Sequence, residues 1–383
     1  MSASTERSRL RFARTSAEDS DILTVKDLAA VGAKRVPQIY NEYFSGGAGE
    51  EATVRDNVDA FARYKLRPRV LKDVGDVDVT WSLFGIKTAG PFGFSPSAAH
   101  KLAHPDGEVA TSRAAAANGI PMALSSYSST SLEDVIAQGS GNPYIMQMTL
   151  FKDLSVSEMI IKRAEGTPNP AGYKALFVSV DLPILGTRLQ EHRSKFEFPP
   201  HVTFPNLQDP KGEREVTLDD LDYNPRITWE KEIAWLRART EMRIWLKGIY
   251  TSDDVELAIR YNLDGVIISN HGGRQLDGVP STLDALRECA AVGRGRIPIG
   301  FDGGIRHGSD IFKAIALGAD FCFLGRVCVW GLAYKGEEGV DFAVKLLLKE
   351  LKQTMMLCGC RTIKDIKASH LSVLLPSGVL SKL

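Results

Sequence analysis

The 383-residue sequence has no net charge, because 47 Lys and Arg residues balance 47 Asp and Glu residues. A chain without an overall positive field is not drawn to nucleic acid or to an anionic membrane, so neither is expected as a partner. No apolar run approaches the roughly 20 residues that span a bilayer, and no membrane insertion is expected. The five cysteines are odd in number and crowded into the last third, which argues against a disulfide framework and favours a reducing compartment inside the cell.

The composition is that of a globular protein, with 44% hydrophobic and 25% charged residues, and it excludes a disordered, collagen-like or coiled-coil chain. Residues 1–20 are rich in Ser, Arg and acidic residues and have no apolar periodicity. They are predicted to form a flexible tail. Residues 21–383 are predicted to form a single domain that begins with two or three short helices between residues 24 and 69.

From residue 81 onward, eight short β-rich runs alternate with helical patterns. The runs are continuously apolar, as in Val266-Ile267-Ile268, which is typical of a parallel sheet covered by helices. The predicted strands are residues 91–96, 120–125, 144–149, 175–181, 243–247, 265–269, 297–301 and 320–324. The predicted helices include residues 107–118, 132–138, 253–262, 282–291, 309–317 and 339–358.

Eight β/α units predict an α/β fold of the closed (β/α)₈ TIM barrel type, with its core at about residues 81–335. An open doubly wound sheet is the alternative, but no glycine fingerprint follows the first strand. The connection at about residues 183–228 is unusually long and rich in Pro and charge. Such a segment is either a mobile lid over the site or a tolerated insertion.

Polar or ionisable side chains stand at the predicted carboxyl ends of all eight strands. In a barrel these ends carry the chemistry, whereas the opposite ends serve stability. One ring of side chains facing one ligand explains the pattern better than chance surface polarity. The residues are Ser97, Ser125, Gln147, Ser179, Asp181, Lys247, Asn270, His271, Asp302 and Arg326.

Glycine-rich turns follow the last two strands, in Asp302-Gly303-Gly304-Ile305-Arg306 and Gly325-Arg326. Barrels commonly bind phosphate at this place. Glycine permits close approach of the backbone, and the planar guanidinium of arginine can bind two phosphate oxygens at once. The two turns therefore predict a phosphate site, with a plain tight turn as the alternative.

His271 lies in the segment Ser269–Asp277, and Arg274 follows it after a Gly-Gly turn. A histidine accepts a proton near neutral pH, and an arginine binds a carboxylate bidentately. If the barrel closes, Asp181 at the end of the fourth strand would support the imidazolium. The pattern predicts a base and a carboxylate-binding group in one cavity.

Lys247 ends the fifth strand after an apolar run. Its ammonium would stabilise an anion, form a Schiff base or pair with a carboxylate, and the sequence leaves these three roles open. The Schiff base makes a lyase an alternative function. Cys358-Gly359-Cys360 has no second cysteine pair, so no metal site is predicted.

The motifs Ser269–Asp277, Asp302–Arg306 and Leu324–Arg326, in this order, resemble those of the FMN-dependent 2-hydroxy-acid oxidases and dehydrogenases, a family that includes glycolate oxidase and lactate oxidase. The resemblance runs from about residue 24 to residue 370. It implies a TIM barrel, bound FMN, a small-molecule carboxylate substrate and a homo-oligomer, the family's tetramer.

Carried over by motif, the resemblance implies which residues bind the cofactor. Lys247 would stabilise anionic reduced flavin, and the two glycine-rich turns would hold the ribityl chain and the phosphate. The implied FMN contacts are Pro96, Ser97, Ala98, Ser125, Gln147, Ser179, Lys247, Ser269, Asp302, Gly303, Gly304, Arg306, Gly325 and Arg326.

The resemblance also implies roles in substrate binding and catalysis. Arg274 and Tyr43 would bind the substrate carboxylate, and Arg188 matches an arginine of the family's mobile loop. His271 would be the base and Asp181 its electrostatic partner.

Two positions depart from the family pattern. Thr149 stands where the family has an active-site tyrosine, and Tyr127, which would contact the substrate, stands where tryptophan is frequent. Loss of the tyrosine hydroxyl removes a donor to the substrate and enlarges the pocket. The change argues against glycolate or lactate as the substrate.

The expected reaction is oxidation of a 2-hydroxy acid, with O₂ as the expected electron acceptor and H₂O₂ as its product. A carbanion route and a hydride route both remain open. One alternative is an FMN oxidase of specialised metabolism that dehydrogenates an amino-acid-derived or cyclic carboxylate. The others are a lyase that uses Lys247 and a flavin-binding protein without turnover.

The sequence given ends in Ser381-Lys382-Leu383. This tripeptide is the peroxisomal import signal when it stands at a carboxyl terminus. A peroxisomal location is therefore expected, with the cytoplasm as the alternative.

Overall fold

A computed structural model describes residues 21–139, 141–166, 172–209, 211–212, 216–217, 219–375 and 377–383. The predicted tail, residues 1–20, lies outside the described residues. Among the described helices, none combines the length and apolar character needed to cross a bilayer.

Three helices, a short strand and a hairpin precede the barrel. They are α1 (Val25–Ala33), α2 (Gln38–Ser45), α3 (Ala52–Arg63), β1 (Tyr64–Leu66) and the hairpin of β2 (Trp81–Leu83) and β3 (Ile86–Thr88). The short helices predicted for this segment are confirmed. Thr24 starts α1 because its side chain accepts a hydrogen bond from the Asp27 N–H while the Asp27 carboxylate accepts from the Thr24 N–H, a capping box.

Eight parallel strands form the barrel. They are β4 (Phe92–Phe94), β5 (Met122–Ser125), β6 (Tyr144–Thr149), β7 (Tyr173–Ser179), β8 (Arg243–Ile249), β9 (Gly265–Ile268), β10 (Ile299–Asp302) and β11 (Phe321–Leu324). Each pairs with its neighbours in the sequence, and β11 pairs with β4 to close the ring. The predicted TIM barrel is confirmed, and the closing pair excludes the open-sheet alternative.

Helices cover the outside of the barrel. They are α4 (Gly107–Ala117), α5 (Leu132–Ile136), α6 (Leu154–Gly166), α8 (Trp229–Arg237), α9 (Ser252–Arg260), α10 (Thr282–Gly293), α11 (Gly308–Leu317) and α12 (Arg326–Cys358), while α7 (Leu189–Ser194) lies in the long segment after β7. The predicted last helix, residues 339–358, corresponds to the part of α12 beyond a break, and the structure adds a preceding helical part that begins at Arg326. The backbone leaves helical geometry at Lys335 and Gly336. This break explains why the sequence shows a regular helical pattern only beyond that point.

The interior of the barrel is filled by large side chains, including Phe177, Trp245 and Phe323. Leu83 at the tip of the β2–β3 hairpin packs against them, and Phe84 meets the Trp245 ring edge-on at 5.7 Å. The hairpin therefore closes one end of the barrel and leaves the other end for chemistry.

The last described segment returns to the beginning of the domain. Strands β12 (Leu371–Leu374) and β13 (Leu380–Lys382) form a three-stranded sheet with β1, in the order β1–β12–β13. Ser381 pairs with Val373, and the Lys382 side chain is exposed. All five cysteines are buried and unpaired.

Asp277 attaches α3 to the segment that carries His271. The carboxylate of Asp277 accepts hydrogen bonds from the backbone N–H groups of Glu50, Ala52 and Thr53, at 3.0, 3.3 and 2.8 Å. Burial would raise the pKa of Asp277, but these hydrogen bonds lower it overall. Asp277 thus acts as an N-cap of α3 supplied from a distant part of the chain.

Replacing Asp277 with alanine should lower the free energy of unfolding by about 1 kcal/mol, because three N–H groups at the start of α3 lose their acceptor. The measurement is the midpoint of urea unfolding. Asp277→Asn, which keeps an acceptor oxygen, should lose less, and Asp76→Ala, at an exposed position, serves as the control. Equal midpoints for Asp277→Ala and the control would contradict the capping role.

Candidate active site

One cavity of about 440 Å³ opens at the carboxyl ends of the strands, within the range of small-molecule sites. Most of the predicted site residues line it. They are Tyr43, Pro96, Ser97, Ala98, Ser125, Tyr127, Gln147, Ser179, Arg188, Lys247, His271, Arg274, Asp302, Gly303, Gly304, Arg306, Gly325 and Arg326. Asp181 and Ser269 stand behind this lining, where they contact His271 and Lys247.

His271 is held from behind by Asp181. The His271 Nδ1 atom lies 3.1 Å from the Asp181 Oδ2 atom and 3.2 Å from Oδ1. Burial would raise the pKa of Asp181, but the adjacent imidazole lowers it overall, so the carboxylate favours a positive charge on the ring. With Nδ1 engaged, the Nε2 atom remains for proton transfer in the cavity.

Two local features place this pair. His271 adopts a left-handed conformation with φ of +57°, which histidine tolerates better than most residues, and its N–H donates to the Ser269 Oγ at 3.1 Å. Gly248 faces Asp181 from β8, where a Cβ atom would lie 2.6 Å from the Asp181 Cγ. A larger residue at 248 would displace the carboxylate.

Lys247 and Asp302 form a buried ion pair. The Lys247 Nζ lies 2.9 Å from the Asp302 Oδ2 and donates to the Ser269 Oγ at 2.7 Å. Ser95 donates to the same Asp302 oxygen at 2.9 Å. Pairing with a carboxylate is one of the three roles that the sequence left open for Lys247, and the geometry gives the lyase alternative no support of its own.

Arg274 is bound to the N-terminal segment and to an acidic residue. Its guanidinium donates to the carbonyls of Tyr43 and Gly46 and, at 3.2 Å, to the Glu191 carboxylate. Glu191 also pairs with Arg188, at 3.4 Å. Sequence reasoning missed Glu191, although its spacing of three residues from Arg188 on a helical turn was a usable signal.

The glycine-rich turns after β10 and β11 meet at one side of the cavity. Arg326 donates to the carbonyls of Phe44, Gly46 and Gly272 at 3.0, 2.8 and 2.9 Å. Three of the five N–H groups of its guanidinium therefore hold backbone carbonyls, and the side chain also lines the cavity. Arg306 and the start of α12 line the same cavity, and the backbone N–H groups at a helix N-terminus suit an anion.

Aromatic rings form the wall opposite the barrel. Tyr43 stacks on Phe196 with centroids 4.6 Å apart, and Phe198 meets both Tyr43 and Phe204 edge-on. Phe196 and Phe198 line the cavity, and they come from the segment after β7, as does Tyr223. Sequence reasoning missed all three residues, because no periodic pattern places a long irregular segment relative to the barrel.

The donors and acceptors in the cavity fit FMN. The amide of Gln147 donates to the Ser179 hydroxyl at 3.1 Å, lines the same cavity as Lys247 and suits the polar edge of a flavin. The Asp302 Oδ1 atom is buried and has no hydrogen-bond partner among the described residues. An acceptor in this state suits a hydroxyl of a ribityl chain.

Comparison with known proteins identifies the family. The family model described as "FMN-dependent dehydrogenase" matches residues 32–373, so the chain belongs to this family of FMN-containing oxidoreductases. The resemblance drawn from the sequence motifs is confirmed, and FMN is the cofactor.

The similar proteins include oxidases of fungi and plants. The chain is 47% identical over 365 residues to Oxidase FUB9 of Fusarium oxysporum f. sp. lycopersici, covering 94% of this chain and 93% of that protein. It is 38% identical over 362 residues to glycolate oxidase of Spinacia oleracea, covering 92% and 96%. A solved structure of mandelate oxidase with (S)-2-phenylpropionate superimposes with a TM-score of 0.82 at 33% identity, covering 94% and 99% of the two chains.

Replacing Glu191 with glutamine should tighten the binding of a carboxylate ligand severalfold, because the substitution removes an anion that competes for Arg274 and Arg188. The Kd of (S)-2-phenylpropionate, followed in the visible absorbance of the FMN-loaded protein, measures the effect. Glu197→Gln, at an exposed position on the same segment, is the control. Weaker binding by Glu191→Gln would show instead that Glu191 orders the two arginines.

Proposed function

We propose that the protein oxidises a 2-hydroxy acid at C2, with His271 as the base. The observation that carries the proposal is the His271–Asp181 pair, at 3.1 Å, in a cavity that also contains Arg274. A base and a carboxylate-binding group side by side suit removal of a proton next to a carboxylate.

Each residue of this site has a defined task. Arg274 and Tyr43 bind the substrate carboxylate and fix C2 relative to His271. Oxidation breaks the C2–H and O–H bonds, forms a carbonyl and releases two electrons and two protons. His271 accepts one of these protons, either from C2 or from the hydroxyl, and Asp181 stabilises the imidazolium that results.

FMN would be held by the barrel rim. Gln147, Ser125, Ser179 and Lys247 would contact its ring system, and Asp302 with the turn at 303–306 would contact the ribityl chain and phosphate. The bound flavin supplies the acceptor for the two electrons. Lys247 places a positive charge beside Ser179 and Gln147 and would balance the negative charge that the ring system gains.

The substrate is proposed to carry an apolar or cyclic group at C2. Thr149 is smaller than the family's tyrosine, and Phe196, Phe198 and Tyr127 give the cavity an aromatic wall suited to a ring. The same wall favours, as a second candidate, dehydrogenation of a cyclic, amino-acid-derived carboxylate. A panel of glycolate, (S)-lactate, (S)-mandelate and (S)-proline separates the two candidates.

O₂ is the proposed electron acceptor, with H₂O₂ as product. The support is that several relatives are named oxidases. An oxygen electrode with catalase added after substrate tests the proposal, because catalase returns half of the oxygen consumed. A homo-oligomer, the tetramer of the family resemblance, is proposed for the assembly, and light scattering measures it.

Replacing His271 with alanine should abolish bleaching of the FMN absorbance by substrate under anaerobic conditions, while the protein remains yellow. The variant loses the proton acceptor but keeps the cofactor contacts. His201→Ala, at an exposed position, is the control. Bleaching by the variant at the wild-type rate would reject His271 as the base.

A peroxisomal location is proposed wherever Ser381-Lys382-Leu383 forms the carboxyl terminus. The exposed Lys382 side chain at the end of β13 supports access for a receptor. A fluorescent protein fused to the N-terminus should show punctate, catalase-positive staining that becomes diffuse when residues 381–383 are deleted. Diffuse staining of the full-length fusion would place the protein in the cytoplasm.

A further inference from the structure

The end of β6 lacks the phenol of the family pattern, as the sequence already indicates. Thr149 occupies this position, and its side chain is buried. A threonine hydroxyl lies close to its own backbone and cannot reach as far as a tyrosine hydroxyl. A substrate oxygen facing this part of the cavity therefore needs a donor from another element.

Tyr223 reaches the same part of the cavity from the segment after β7. This segment returns to the end of β6, where Tyr223 forms a single antiparallel bridge with Phe151 and the Lys152 N–H donates to the Asp222 carbonyl at 2.8 Å. These contacts fix the backbone of Tyr223 opposite Phe151, which lies two positions beyond Thr149. Both Tyr223 and Thr149 line the cavity.

The hydroxyl of Tyr223 has a polar neighbour in the Tyr127 hydroxyl. Burial raises the pKa of Tyr223, whereas its hydrogen bond with Tyr127 and the charge of Arg188 act to lower it. The pKa of Tyr127 is raised, first by burial, and its hydrogen bond with Tyr223 adds to the effect. The two hydroxyls are joined by a hydrogen bond, and a phenol can both donate and accept, so the Tyr223 O–H can donate to another acceptor when Tyr127 donates to Tyr223.

The surroundings suit an anionic or polar acceptor. Arg188, which acts on Tyr223 electrostatically, also pairs with Glu191 beside Arg274. Tyr223 thus belongs to the same group of side chains as the arginine proposed to bind the substrate carboxylate. A substrate placed with its carboxylate on Arg274 would bring its oxygen atoms toward this group.

We propose that Tyr223 is a substrate-binding residue that donates a hydrogen bond to an oxygen atom of the substrate, in place of the phenol absent from position 149. The inference rests on the proposed oxidation of a 2-hydroxy acid, whose two kinds of oxygen, carboxylate and hydroxyl, are the acceptors. Tyr127 orients the Tyr223 hydroxyl. The long segment after β7 therefore contributes to substrate specificity as well as covering the site.

The test uses binding, so that it does not depend on turnover. The Kd of (S)-mandelate is measured by calorimetry on FMN-loaded His271→Ala protein, with and without Tyr223→Phe. Loss of the hydroxyl should raise the Kd by about tenfold, the loss expected for a hydrogen bond to a charged or polar substrate oxygen. Tyr261→Phe, whose ring stacks on Trp229 away from the cavity, should leave the Kd unchanged.

A second ligand identifies the oxygen. (S)-2-Phenylpropionate keeps the carboxylate and lacks the hydroxyl. If Tyr223→Phe weakens both ligands, the acceptor is the carboxylate, and if it weakens only (S)-mandelate, the acceptor is the hydroxyl. An unchanged Kd for (S)-mandelate would overturn the proposal and leave Tyr223 with a packing role beside Tyr127.

Moving the phenol from position 223 to position 149 tests whether Tyr223 takes the role of the absent tyrosine. Tyr223→Ala alone should weaken (S)-mandelate binding, and adding Thr149→Tyr should restore much of the affinity. No recovery would reject the replacement. If wild-type protein binds (S)-mandelate through Tyr223 yet no 2-hydroxy acid bleaches its flavin, the proposed oxidation fails and the binding role of Tyr223 stands.

Discussion

The pairing of β11 with β4 is the constraint on which the site depends. Cys322 pairs with Phe92 and Leu324 with Phe94, which turns a row of eight strands into a ring. Closure brings Ser95, which follows the first barrel strand, close to Asp302, which ends the seventh. The Ser95 Oγ lies 2.9 Å from the Asp302 Oδ2. Without closure, the carboxyl ends of these strands would form an open edge, and the ion pair of Lys247 with Asp302 would have no enclosed cavity to face.

The electrostatics of the cavity follow from an excess of buried basic groups. Burial lowers the pKa of Arg306 to about 10 and, together with the neighbouring Arg274 and Arg306, that of Arg326 to about 9. Like charges confined in a poorly solvated space repel each other, and bound anions relieve the repulsion. A phosphate and a carboxylate are anions of this kind, so cofactor and substrate would both offset the positive charge of these groups. Glu191 offsets part of it through its ion pairs with Arg274 and Arg188.

The sequence predicted the barrel well because apolar strands and amphipathic helices repeat with a regular period. It also placed His271, Arg274 and Asp302 at strand ends, where the topology of a barrel brings them together. It could not place Tyr223, or Glu191 relative to Arg274, because these positions depend on the path of an irregular segment, although the spacing of Glu191 from Arg188 was a local signal. The same limit applies to Arg326, whose three carbonyl partners lie at the end of α2 and at Gly272, distant parts of the chain that no local pattern connects to it.

The contacts of Arg326 have a consequence for how the protein is made. This side chain, near the last barrel strand, holds the carbonyls of Phe44 and Gly46 near the start of the domain. These two hydrogen bonds span 282 and 280 positions in the sequence. The ribosome therefore synthesises most of the strands before the last residues that line the cavity are present. The lining of the cavity runs from Tyr43 to Val329, so all the residues that surround the flavin site are present together only when synthesis of the chain is well advanced.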